Sequence, residues 1–290
     1  MSKAGETPVP EAEVRRIALP SGEEVPALGQ GTWGWAEDER PRGEEISALR
    51  TGLDLGLTLV DTAEMYANGA AEELVGEAVR GRRDEVFLVD KVLPSNATRQ
   101  GAVDACERSL RRLGTDRIDL YLLHWRGPTP LEETLEAFEE LKREGRIRHW
   151  GVSNLDVSDM EELASATGGD GVQTDQILYN LTRRGVEYDL LPYCRERGVP
   201  VMAYSPIEQG RMLDSPALQE VAESHGVTHA RVALAWVLRQ DGLVAIPRAG
   251  APDHVRENRA ALDLDLTQED LAALDHAFPS PTGPRPLEIL

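Results

Sequence analysis

About eight short apolar runs, each separated from the next by a segment of helical period, follow one another along this chain of 290 residues. After a hairpin expected over residues 17–19, a turn at Ser21-Gly22 and Val25, candidate strands fall at 28–29, 57–60, 86–89, 118–123, 148–152, 172–176, 200–203 and 243–246. The segments between them carry apolar stripes at three- and four-residue spacing. Val103, Cys106, Leu110 and Leu113 form one, and Leu131, Leu135, Phe138 and Leu141 another. Strands that alternate with helices pair in parallel, and eight of them are enough to close a barrel. The expected fold is α/β, a (β/α)8 TIM barrel with an N-terminal β-hairpin cap. Helix boundaries support it: Thr129-Pro130-Leu131-Glu132 reads as a capping box with proline at the first helical position. Gly145 reads as the end of that helix, and Thr267-Gln268-Glu269-Asp270 as the start of the last one.

The chain divides into an arm at 1–13, a single barrel at 14–278 and a short tail at 279–290. The arm, MSKAGETPVPEAE, is polar and acidic, is expected to be flexible, and holds no apolar segment that could serve as a signal peptide. No apolar run approaches membrane-spanning length. Two cysteines, Cys106 and Cys194, make no disulfide framework, which fits a reducing cytoplasm. A net charge of −20 argues against nucleic acid and anionic membrane surfaces as partners. A small molecule is the expected partner, with the protein a monomer or a weak homo-oligomer. His149, His225, His229 and His276 show no metal-ligand spacing, so no metal site is expected.

Four polar residues carry the chemistry. Asp61, Tyr66, Lys91 and His124 each come just past an apolar run, and in a barrel the C-terminal strand ends converge on one pocket. Singly, these are a turn aspartate, a wall tyrosine and a core histidine. Lys91 is harder to pass over, because Lys3 and Lys142 are the only other lysines and a buried lysine needs a partner. A phenol, an ammonium, an imidazole and a carboxylate meeting in that pocket would make a proton-donating site. A tyrosine holds its proton at neutral pH, an ammonium beside it lowers the cost of the phenolate, and a carboxylate keeps that ammonium charged. A neutral imidazole can donate to a substrate oxygen and orient it.

Five segments resemble, in order, the signatures of the aldo-keto reductase family, in particular bacterial reductases of methylglyoxal type. They are Asp61-Thr62-Ala63-Glu64-Met65-Tyr66; Lys91 closing a strand; Leu120-Tyr121-Leu122-Leu123-His124-Trp125; Gly145-Arg146-Ile147-Arg148-His149-Trp150-Gly151-Val152-Ser153-Asn154; and the run from Ile246 to Asn258. The resemblance runs from Gly31-Thr32-Trp33 to Glu257-Asn258. It implies Tyr66 as general acid with Asp61, Lys91 and His124 as partners. It implies a nicotinamide cofactor held by Thr32, Asp61, Ser153, Asn154, Gln176, Tyr204, Ser205, Ile207, Gln209, Arg248, His254, Glu257 and Asn258. Within that set Ser153, Asn154 and Gln176 would take the carboxamide, and Tyr204 would stack on the ring. Trp33 and Trp125 would wall the substrate pocket, whereas Trp150 and Trp236 read as core.

Departures from the pattern refine this expectation. Arg248 keeps a cation where the family often has lysine, while His254 replaces a common arginine and Ala249 a common serine. Those two changes weaken the 2′-phosphate clamp without abolishing it, so NADPH is favoured, with NADH as the alternative. Glu208 sits where a small residue is frequent and is expected to turn to solvent. The short, proline-rich tail implies an open pocket with broad tolerance for small and aromatic aldehydes, methylglyoxal included. Two alternatives stay open: a regulatory nucleotide-binding subunit of the same fold, and a barrel enzyme forming a Schiff base on Lys91.

Overall fold

The computed structural model describes residues 14–37 and 41–290, so the arm expected at 1–13 lies outside the described residues. The chain enters through an antiparallel hairpin, β1 (Arg16–Ala18) against β2 (Glu24–Pro26), with Ile17 opposite Val25. Eight parallel strands follow in sequential order around one sheet: β3 (Gln30–Gly31), β4 (Leu59–Asp61), β5 (Phe87–Val92), β6 (Ile118–Leu123), β7 (Ile147–Ser153), β8 (Asp175–Leu178), β9 (Val201–Tyr204) and β10 (Leu243–Ala245). The two edge strands then meet. Leu28 bridges Ala245 and Gly31 bridges Arg248, both in parallel. At that seam a Cβ on Gly31 would lie 2.7 Å from the Ile246 carbonyl oxygen, so glycine is what lets β3 come close enough to close the barrel. This is the expected (β/α)8 architecture.

Helices wrap the strands: α1 (Arg42–Asp54), α2 (Ala70–Ala78), α3 (Arg99–Leu113), α4 (Leu131–Arg143), α5 (Val157–Ser165), α6 (Leu190–Glu196), α7 (Pro216–His225), α8 (His229–Leu238), α9 (Pro252–Ala260) and α10 (Gln268–Ala277). Because helices cover the outside and side chains fill the inside, β4, β5 and β6 are buried at every position. Trp150 and Trp236 are core, as expected, and Cys106 and Cys194 are both buried. The hairpin covers the N-terminal end of the barrel: Ser21 N–H donates to Gln173 Oε1 at 2.9 Å, and Glu23 meets Arg148 at 2.8 Å and His149 at 2.7 Å. The opposite, C-terminal end is left to the loops. Among the described residues no helix is long and apolar enough to cross a membrane.

Several boundaries differ from the sequence reading. The first barrel strand is Gln30–Gly31 rather than 28–29, with Leu28 making only the seam bridge. Asp61 and Lys91 do not stand past their strands but inside them, Asp61 as the last residue of β4 and Lys91 within β5. Tyr66 opens a one-turn 3-10 helix, Tyr66–Gly69, five residues beyond Asp61. The capping box at Thr129 does not form: Pro130 is itself the N-cap of α4 and no side chain caps the helix. At Thr267 a box does form, with Asp270 returning the bond.

Candidate active site

Strand register brings the polar residues together. Asp61 pairs with Val89 across the β4–β5 ladder, and Lys91, two residues on, points to the same inner face. Lys91 Nζ therefore reaches Asp61 Oδ2 at 2.7 Å, the Thr62 carbonyl oxygen at 2.8 Å and Tyr66 Oη at 3.2 Å. Those three contacts use all three ammonium protons. Tyr66 is carried back over Lys91 by a tight turn in which Ala67, Asn68 and Gly69 take φ of +47°, +53° and +94°. His124 extends the β6 ladder by one residue, its N–H donating to the Val92 carbonyl at 3.0 Å, and its ring stands edge-on to Tyr66 with centroids 6.0 Å apart.

Burial sets the protonation of this group. Lys91 is wholly enclosed, which alone drives an ammonium toward neutrality; attraction to Asp61 and Tyr66 more than offsets this, and Lys91 titrates above ordinary lysine. Burial pushes the Tyr66 phenol upward, Lys91 pulls it back, and Asp61 pushes it up again, leaving it above an ordinary tyrosine. His124 is pushed down to about 2, first by burial and then by the Lys91 charge, so its imidazole is neutral. The result is a protonated phenol resting on a charged lysine beside a neutral imidazole.

Beside this group lies a floor of amides and hydroxyls. Gln176 Nε2 donates to Asp61 Oδ1 at 2.7 Å, and Ser153 Oγ donates to the Gln176 carbonyl at 2.8 Å. Asn154, held at φ +57°, donates to the His124 carbonyl and to Ser153 Oγ, both at 3.1 Å, and accepts from Tyr204 Oη at 2.9 Å. Over this floor opens a cavity of about 640 Å³. Its wall includes Trp33, Tyr66, His124, Trp125, Tyr204, Ser205, Ile207, Gln209 and Arg248. An aromatic face, amides that can both give and accept, and a cation are a donor set that fits a nicotinamide dinucleotide. Its size suits a ligand with an apolar body.

Most of the expected site residues are gathered here, and the others stand apart in particular ways. Lys91 lies behind Asp61 and Tyr66 rather than on the wall. Thr32 is buried, its hydroxyl donating to the Asp61 carbonyl at 2.9 Å. His254, Glu257 and Asn258 lie on α9, outside the cavity wall, and Glu257 is engaged by Arg231 at 2.9 Å and Thr228 at 2.6 Å. One expectation is overturned. Glu208 does not turn to solvent: it is buried and receives Asn180 at 2.8 Å, Arg183 at 2.9 Å and Arg211 at 2.9 Å. The short tail does reach the cavity, where Ile289 and Leu290, both half exposed, form part of its wall. The sequence held one signal for this, the apolar Leu287, Ile289 and Leu290 in a tail otherwise of proline and polar residues. Met65 also lines the wall and drew no attention in the sequence.

The chain matches the family model described as aldo/keto reductase family over residues 27–278. It is 52% identical over 271 residues to methylglyoxal reductase YeaE of Escherichia coli strain K12, covering 92% of this chain and 95% of that protein. Against a glyoxal reductase of Bacillus subtilis strain 168 the identity is 33%, with 94% and 97% covered. Among solved structures, an aldo-keto reductase from Klebsiella pneumoniae in complex with NADPH superposes with a TM-score of 0.92 at 49% identity, covering 96% of this chain and 99% of that one.

Proposed function

The chain belongs to the aldo/keto reductase family, and from that premise we propose that it reduces small and aromatic aldehydes, methylglyoxal among them, to alcohols at the expense of NADPH. The observation that carries the reading is the Asp61–Lys91–Tyr66 chain opening onto an apolar-walled cavity. NADPH, when bound, supplies the hydride. Tyr66 gives its phenolic proton to the carbonyl oxygen, and the phenolate left behind faces the Lys91 ammonium, which Asp61 keeps charged. The neutral His124 donates to the same oxygen and fixes the substrate's approach. Ser153, Asn154 and Gln176 would hold the carboxamide, and Tyr204 would stack on the nicotinamide ring. Arg248 would supply a cation for the 2′-phosphate, and His254 and Asn258 of α9 would hold the adenosine end. Trp33 and Trp125 exclude water from the reacting carbon. Lys91 is a poor candidate for a Schiff base, because its three protons are all engaged and it is held as the ammonium.

A monomer or weak homo-oligomer in the cytoplasm fits the reading. Oxidation of NADPH, and separately of NADH, with methylglyoxal and a nitrobenzaldehyde tests it, alongside Tyr66→Phe. Turnover should require an aldehyde and fall about 10²- to 10⁴-fold in the variant, the usual worth of a positioned general acid, with NADPH still bound. Tight NADPH binding without any turnover in the parent would move the reading to a regulatory nucleotide-binding barrel.

A further inference from the structure

The C-terminal residues are held in place from one short loop. After β8, Asn180 Oδ1 accepts from Thr182 N–H at 2.9 Å and Arg183 N–H at 3.1 Å, which fixes the backbone from which Arg183, Arg184 and Gly185 project. Arg184 holds the end of α10 through Asp275, at 2.7 Å, and the Phe278 carbonyl, and the start of the tail through Ser280. Gly185 lies under its middle: a Cβ there would meet Arg285 Cβ at 3.1 Å. Arg183 holds its end, Nη1 reaching Glu288 Oε1 at 2.5 Å, one residue before the chain enters the cavity wall. Leu290 N–H then donates to Tyr204 Oη at 3.4 Å.

The same guanidinium reaches the other way. Arg183 Nε and Nη2 lie 3.2 and 2.9 Å from Oε1 of Glu208, whose second oxygen takes Asn180 Nδ2 at 2.8 Å. Burial pushes the Glu208 carboxyl up, but the bonds from Arg183, Asn180 and Arg211 more than offset this, and it stays ionised. Glu208 belongs to the loop at 205–210, in which Ser205, Glu208, Gln209 and Gly210 all take positive φ, of +47°, +50°, +55° and +87°. Three non-glycine residues in that region persist only where the surroundings hold them. This loop supplies Ser205, Pro206, Ile207, Gln209 and Gly210 to the cavity wall.

We propose that Arg183 is a positioning residue that couples the chain's end to the cofactor side of the cavity. By holding Glu208 and Glu288 together, it makes the seat of Ile289 and Leu290 and the shape of the loop at 205–210 one unit. A ligand that fixes the loop then also fixes the tail, and coupling of this kind is reciprocal. The inference rests on the reading of this cavity as an NADPH site.

The test uses the full chain and four variants: Glu288→Gln, Arg183→Lys, Arg183→Met, and Glu288→Gln combined with Arg183→Met. Carboxypeptidase release of Leu290, followed by mass spectrometry with and without NADPH, reads the tail. NADPH fluorescence reads cofactor affinity, and kcat and KM for methylglyoxal read the reaction. NADPH should slow release of Leu290 in the parent, and Glu288→Gln should remove that protection. Glu288→Gln should raise the aldehyde KM about two- to fivefold, the scale of a half-exposed ion pair, with kcat within about twofold. Arg183→Met should do the same and weaken NADPH binding, Arg183→Lys should restore part of both, and the double variant should have a KM no higher than Arg183→Met. Glu288→Gln spares the buried Glu208, so it serves even if Arg183→Met folds poorly. NADPH binding and turnover in the parent with unchanged Leu290 release, or additive effects of the two substitutions on KM, would overturn the coupling alone. A parent that neither binds NADPH nor turns over an aldehyde would overturn it together with the reading beneath it.

Discussion

Lys91 is charged in a place where a lone lysine would be neutral, and the reaction proposed for the site depends on that. Its ammonium is surrounded by Asp61, Thr62 and Tyr66 with no exposed surface at all, and only the paired carboxylate makes the charge tolerable. The direction of each shift predicts the pH profile. Tyr66 must hold its proton to donate it, and it titrates above the ordinary tyrosine value of about 10. Reduction should therefore be flat between about pH 5.5 and 9 and decline only on the alkaline side. Alcohol oxidation needs the phenolate and should rise with pH over the same range. His124, pushed down to about 2, contributes no break near neutrality. Steady-state kcat at saturating NADPH across that range checks this. An inflection near pH 6.5, the ordinary histidine value, that disappears in His124→Asn would mean the imidazole is charged and the donor role assigned to it is wrong. Much of this site was legible because chemistry of this kind needs rare residue types: one lysine of three, following an apolar run, stands out in any reading of the chain.

Elements depend on contacts that no residue type announces. Helices α2 and α3 pack so closely that a Cβ on Gly76 would sit 2.3 Å from the Leu113 carbonyl oxygen, a backbone atom that cannot swing aside. In an open helix, replacing glycine by alanine gains up to about 1 kcal/mol, but forcing extra volume into a close-packed contact costs about 1–3 kcal/mol. Gly76→Ala should therefore lower the thermal midpoint. Gly43→Ala in α1, where nothing among the described residues lies within 4 Å, should raise it slightly. Shifts of the same sign in both would sink the packing argument. The same dependence on contacts explains which boundaries the sequence blurred. β6 is apolar nearly throughout and was legible from end to end, whereas β5 continues through the charged Lys91 because Asp61 satisfies that charge inside the barrel. β3 has only Gln30 and Gly31, defined by its pairing with Val60 and Asp61 of β4 rather than by any apolar pattern. Thr129 looked like a cap, but Pro130 already sets the extended entry, with φ −53° and ψ 135°, and the hydroxyl is not needed.

For the whole molecule, alternation of strand and helix was enough to anticipate the barrel, and what escaped was contact between distant segments. The bond from Arg183 to Glu288 spans 105 positions and that from Arg183 to Glu208 spans 25, so neither leaves a local pattern, and the tail's part in the cavity wall was missed for that reason. Charge at this scale makes a prediction of its own. With 51 acidic and 31 basic side chains, the net charge of −20 is spread over a surface that also carries many close ion pairs. Salt weakens both, but over different distances. Pairs such as Arg82–Asp54 at 2.6 Å and Arg99–Glu140 at 2.9 Å are shorter than any working Debye length, which falls from about 30 Å at 0.01 M to about 8 Å at 0.15 M. Repulsion among acids spread across the surface acts over longer distances and is lost in that interval. Adding sodium chloride from 0.01 to 0.15 M at about pH 7 should therefore raise the thermal midpoint by a few degrees, on the order of 1 kcal/mol for a chain of this size. The rise should shrink near pH 5, close to the isoelectric point of about 4.7, where the excess charge is nearly gone. Circular dichroism melts at the two salt concentrations and two pH values decide it. A midpoint that falls with salt at pH 7 would mean that the ion pairs outweigh the excess of acid.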